Sequence, residues 1–188
     1  MKFVKDKDII SCLEPEEALK NLLPSYESYY SIDTNPLTPF SATAFFSSNN
    51  TQYFLVKSAQ ISQSTSSEYV YFLCTQNLTT EYLCECAQTA WNNALAKIKP
   101  SSGHRNSDVT LIVIAKTFNP EVLKTAHKIK KSKSYKLSLW GWSSFRLAGV
   151  ELTSGKLIHN RLGASLLKIM NNICSKQKLI NINSVGGK

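Results

Sequence analysis

Glycine is scarce, with seven in 188 residues, and the only adjacent pair is Gly186-Gly187. That leaves no glycine-rich phosphate loop and no serine nucleophile elbow, both of which need glycines at fixed spacing around a turn. Cysteine numbers five, an odd count, which fits reduced thiols better than a disulfide framework. Cys84 and Cys86 fall two apart in a helical pattern and point about 200° apart, so they do not chelate one ion. Cys12, Cys74 and Cys174 read as small apolar residues. His104, His127 and His159 are scattered, so no metal and no cofactor are expected. No stretch approaches the roughly 18 apolar residues of a membrane span, and the N-terminus runs into no long apolar signal core. A cytoplasmic protein with no membrane partner is the expectation.

Arginine is also missing from the first 100 residues, which hold seven lysines and ten acids, a balance of −3. Residues 101–188 hold fifteen basic residues and three acids, a balance of +12, and together they give the net charge of +9. Such a half attracts polyanions if the fold gathers it on one face: nucleic acid, or an acidic protein surface. Otherwise its lysines only solvate exposed helices.

With 43% hydrophobic residues, the chain is long enough to bury a core without staples. Glu14-Pro15-Glu16-Glu17 starts a helix well, because proline suits the first turn and acids suit the positive end of the dipole. A helix is expected over Pro15–Leu23, ended by Pro24, then a connecting arm with Pro36 and Pro39. Three strands follow, at Thr43–Ser47, Thr51–Ile61 and Glu68–Cys74, joined by Ser48-Asn49-Asn50 and by a serine-rich turn at Ser62–Ser67. Leu83, Ala87, Ala90, Trp91, Ala94, Leu95 and Ile98 recur at spacings of three and four, a helix capped by Thr79 or Thr80. A loop at 99–107 leads to Asp108–Ala115, a run suited to a strand buried on both faces. Further expectations are a helix at Glu121–Lys131, with Val122, Leu123, Ala126 and Ile129 inward, strands at Tyr135–Trp140, Phe145–Leu152 and Lys156–Asn160, and a helix at Ala164–Cys174. The fold class is α+β: a mixed sheet opened by a three-strand antiparallel meander, one buried central strand, and three to four packed helices. Residues 1–39 form a helix and arm, 40–175 one domain, and 176–188 a loosely ordered tail.

The order helix, three-strand meander, helix, strand over residues 14–116 resembles the core of the restriction-endonuclease-like fold. That resemblance implies an acid-x-Lys signature holding a divalent metal. Lys57 has Leu55 two positions before it instead of an acid, so the signature is absent. Three polar runs, His104–Thr110, Tyr135–Arg146 and Ser154–Arg161, resemble a family of small uncharacterised bacterial cytoplasmic proteins over residues 40–173. The resemblance implies no mechanism, and implies that the first 35 residues or so are the more dispensable part.

The same runs hold the candidate site residues. His104 is a general-base candidate with Asp108 beside it, and Arg105 an anion clamp, although Asn106 and Asp108 also suit a turn closed by side-chain hydrogen bonds. Trp140 and Trp142 would share one face of a regular strand with Lys136 and Arg146, a stacking platform for single-stranded nucleic acid. Alternatively at least one of the two tryptophans fills the core. Lys124, Lys128, Lys130, Lys131, Lys133 and Lys136 are the electrostatic footprint, with Arg105, Arg146 and Arg161 as phosphate contacts. The expected role is a noncatalytic binding module. The alternatives are a nuclease-like hydrolase using His104 and Asp108 with Arg105 or Arg161, and a homo-oligomeric structural protein.

Overall fold

The structure is a computed structural model and describes residues 13–53 and 60–173, with side chains at 13–48 and 65–173. The expectations for Cys12, Leu55, Lys57, Cys174 and the tail lie outside the described residues, as do all the side chains of the expected strand Thr51–Ile61, whose ends fall in two different strands.

Seven strands form one mixed sheet: β1 (Ser31–Asp33), β2 (Ala42–Tyr53), β3 (Gln60–Leu78), β4 (His104–Phe118), β5 (Ser132–Ser134), β6 (Trp142–Glu151) and β7 (Leu157–His159). Their order is β1-β2-β3-β4-β6-β5, with β7 also paired to β6. β1, β2 and β3 are antiparallel neighbours, whereas β3, β4 and β6 run parallel. The fold is therefore α+β, and β4 is its central strand, with nine consecutive residues, Ser107–Ala115, buried.

Helices cover both faces. On one lie α3 (Thr80–Lys97) and α4 (Val122–Lys128), and on the other α1 (Pro15–Leu22) and α2 (Pro24–Glu27). The α3 stripe packs as expected, and Thr79 accepts a hydrogen bond from the Tyr82 amide at 3.2 Å. Val109, Leu111, Val113 and Phe145 meet it from the sheet. Ile112, Ile114, Ala148 and Val150 point the opposite way, onto Ala18, Leu19, Leu22 and Tyr26. Period-two alternation thus divides the buried runs of β4 and β6 between two cores.

Several boundaries differ from expectation. The arm is not elementless: it contains α2 and β1. Ser48-Asn49-Asn50 and Ser62–Ser67 are not turns but strand, because their backbones pair along two long strands in register from Ala42↔Phe72 to Gln52↔Ser62. Serine and asparagine fit a paired strand there as well as a turn, and composition cannot tell the two apart. The loop at 99–107 ends at Gly103, where β4 begins. α4 is shorter than expected, with Leu123 36% exposed. Tyr135–Trp140 is no strand, because Lys136, Leu137 and Ser138 take φ of +43°, +53° and +69°. The last helix opens as a 3-10 segment, Leu162–Leu166, and continues through 167–173.

Buried Asn160 joins four segments. Its amide donates to the Ile129 carbonyl (3.1 Å) and the Phe145 carbonyl (2.9 Å), and its oxygen accepts from the amides of Leu147 (3.0 Å) and Gly163 (2.8 Å). All four of its hydrogen-bonding positions are used.

Candidate functional site

The polar groups gather where the parallel strands begin, on two adjacent rows of the sheet. Ser47, Ser67, Ser107 and Ser143 stand in register on β2, β3, β4 and β6. One residue along, the row reads Phe46, Glu68, Asp108, Ser144. Successive residues point to opposite faces, so one row builds a neutral network and the other a charged one.

His104 belongs to the neutral network because of a bulge. Thr65 pairs with His104 but Ser66 pairs with Asn106, so Arg105 is the extra residue and the ring swings to the Ser107 side. His104 Nδ1 lies 2.7 Å from the Trp140 carbonyl, which can only accept, so Nδ1 carries the proton. Nε2 lies 2.8 Å from the Ser107 hydroxyl, which in turn lies 2.7 Å from that of Ser67. Tyr135 joins the same base, with its hydroxyl 2.8 Å from Ser143 Oγ and its ring edge-to-face with His104 at 5.6 Å. Ser107 is only 1% exposed, and the pair lies buried against the turn 135–141 through the bond from His104 to Trp140.

In that turn Trp140 N donates to Tyr135 O at 3.1 Å and Tyr135 N to Gly141 O at 3.0 Å, closing a loop around three left-handed residues. Each such non-glycine residue costs on the order of 1–2 kcal/mol. Gly141 sits at φ +73°, against the Arg105 carbonyl, where a Cβ would collide. The loop holds Leu137 95% exposed and Leu139 79% exposed. Lys136 Nζ lies 3.7 Å from the centre of the Trp140 ring, and Lys133 Nζ lies 5.7 Å from that of Tyr135. Lys128, Lys130, Lys133 and Lys136 are exposed, and Lys131 is half-buried. Burial lowers the Lys131 pKa. Among the described residues no carboxylate lies within ion-pair distance of these five, whereas Lys124 faces Glu121 at 3.7 Å.

On the opposite face, Arg146 Nη2 donates to Asp108 at 2.5 Å and Nη1 lies 3.7 Å from Glu68. Thr110 and Tyr30 donate to Glu68 at 2.6 and 2.7 Å, and Ser144 donates to Asp108 at 2.5 Å. Burial, and then Glu68, raise the Tyr30 pKa far above the ordinary phenol range. This network ends a cleft of about 530 Å³ walled by Leu22, Tyr26, Leu166 and Ile169.

A family model described as Domain of unknown function (DUF8052) matches residues 14–172. The chain belongs to this family. No curated protein and no solved structure matches the chain. The DUF8052 match takes in both networks, the turn 135–141 and Asn160. It begins at Glu14, so α1, α2 and β1 lie within the family domain, whereas the sequence resemblance began at residue 40.

The expected site residues therefore separate. His104 and Asp108 are not brought together: the bulge puts them on opposite faces of β4. Arg146 does not join Lys136 and Trp140 in a platform, since it is held by Asp108 and Glu68. Neither Trp140, half-buried, nor Trp142, 47% exposed, fills the core, a place taken instead by Trp91. Arg105 and Arg161 are exposed. Sequence reasoning passed over Glu68, Ser107, Asn160, Leu137 and Leu139. A hydroxyl-rich stretch at 62–67 is the signal that marks the polar end of the sheet, but the register that aligns its serines with Ser107 and Ser143 is not written locally.

Proposed function

We propose that this chain is a noncatalytic binding module that engages a polyanion through the basic segment 124–136 and the loop following it. The observation that carries this reading is the set of five lysines, Lys128 to Lys136, gathered beside the β5 edge without a carboxylate partner among the described residues. Their fields add, since no neighbouring acid cancels them. Trp142 and Arg105 flank the same turn and extend the surface with an exposed ring and a guanidinium. A buried hydrogen-bonded base supports it, which suits recognition: the strained turn is held ready before the partner arrives.

The test is a salt titration of binding to labelled single-stranded nucleic acid, duplex nucleic acid and anionic lipid vesicles. Four engaged lysines give a log-log slope of about −3 to −4 with nucleic acid. Replacing Lys128 and Lys133 together by glutamate should abolish binding, with unchanged circular dichroism. Absent or salt-insensitive binding to all three probes overturns the reading.

A further inference from the structure

Resting on that reading, we infer that the polyanion is the surface of an anionic phospholipid bilayer, entered by the tip of the turn 135–141. Charge alone does not choose between a phosphate backbone and a lipid headgroup layer. The leucines choose. Leu137 and Leu139 are the two most exposed large aliphatic side chains described, and both stand in one tight turn. A nucleic acid buries an aliphatic wedge only by unstacking its bases, at a cost of a few kcal/mol per step. An anionic bilayer offers both layers in the needed order, phosphates outside and hydrocarbon beneath.

The residues supply both kinds of contact. Leu137 and Leu139 are the exposed apolar residues of the turn, Lys136 lies on the ring of Trp140 in the same turn, and Lys130 and Lys133 are exposed in the segment that leads into it. Tryptophan belongs at the headgroup level, where its ring has an apolar body and a polar N–H. The left-handed backbone carries its own meaning. Three consecutive non-glycine residues at positive φ expose leucines that a relaxed strand would pair along β5 and β6. His104, the Tyr135–Ser143 bond and the Gly141 contact with Arg105 keep them there. Peripheral docking of this kind needs no long apolar run, so it is compatible with the short apolar segments of this chain. No described helix is long and apolar enough to cross a membrane.

The experiment is co-sedimentation of the full chain with phosphatidylcholine vesicles, with and without phosphatidylserine, beside nucleic-acid binding under the same salt. The variants are Leu137→Ser with Leu139→Ser, and Lys128→Glu with Lys133→Glu. Both leucines point into solvent, so their replacement leaves the cores intact, which circular dichroism checks. The expected result is binding to the anionic vesicles only, weakened about tenfold or more by the leucine pair. Tryptophan emission of the native chain should shift to the blue on the vesicles. Vesicle binding unaffected by the leucine pair overturns the inference. So does nucleic-acid binding without vesicle binding, although the polyanion reading then stands. Loss of salt dependence, with the lysine pair inert towards every probe, overturns the reading itself.

Discussion

The two faces of the sheet, at the same end of the same strands, solve the same problem with different chemistry. On the α3 side, serines, a histidine and a tyrosine satisfy one another with no carboxylate or guanidinium among them. On the α1 side, two carboxylates and a guanidinium do so, closed over by Tyr30 from the segment between α2 and β1. A neutral hydroxyl network tolerates deep burial, and Ser107 and Ser143 are 1% and 0% exposed. Ionised groups are expensive to bury, and Arg146 stays half-buried beside a cleft. The neutral face can therefore anchor a strained external loop, while the charged face ties the N-terminal segment onto the sheet.

The sharpest way to break this symmetry is Arg146→Met. It strands Glu68 and Asp108 opposite each other on neighbouring strands and should cost about 3 kcal/mol in urea unfolding. Binding through the lysine segment should be untouched, because the guanidinium lies on the other face. Gly141→Ala should cost about 2–3 kcal/mol, from the left-handed backbone and the collision with the Arg105 carbonyl. Its effect should spread to the loop and reduce polyanion binding. His104→Ala should be milder in stability, about 1–2 kcal/mol, since it leaves the Trp140 carbonyl without its side-chain donor while Ser107 keeps its bond to Ser67. Its signature is loss of loop order, read as faster amide hydrogen exchange at 136–141 with β3 and β4 still protected. If Arg146→Met disturbed that loop and His104→Ala did not, the division of labour between the faces would be wrong.

The smallest effect concerns pH and reaches both faces together. Burial raises the phenols of Tyr26, Tyr30 and Tyr71, so the folded chain holds protons that the unfolded chain releases near pH 10. The stability they contribute is complete below about pH 10 and is lost as pH rises further. Unfolding curves collected from neutral to alkaline pH should show a declining midpoint. Tyr30→Phe should shrink that decline while costing about 1 kcal/mol at neutral pH through the lost bond to Glu68.

These outcomes also mark what the sequence could show. The α3 stripe, its Thr79 cap and the buried run of β4 are local patterns, and they appear where periodicity put them. The antiparallel meander was legible in kind but not in extent, because Ser62–Ser67 satisfies the rules for a turn as well as those for a polar ribbon. At the site, His104 and Asp108 are four apart, and regular alternation would set them on one face. A single bulge at Arg105 reverses that, and nothing in the composition of the run announces it. Tyr135–Trp140 alternates as a strand would, yet the anchoring of Trp140 by His104, 36 residues earlier, accompanies a left-handed turn. The lysines were readable at once, because exposure and charge need no partner.

Asn160 has a consequence for kinetics. Its four bonds reach Ile129, Phe145, Leu147 and Gly163, so they are complete only after α4, β6 and the 3-10 segment have met. Asn160→Ala is expected to raise the unfolding rate more than it lowers the folding rate, which a denaturant chevron measures. On that expectation the polar run around Asn160 is a latch on the native lifetime, one that bears on how long the molecule stays folded more than on how fast it folds.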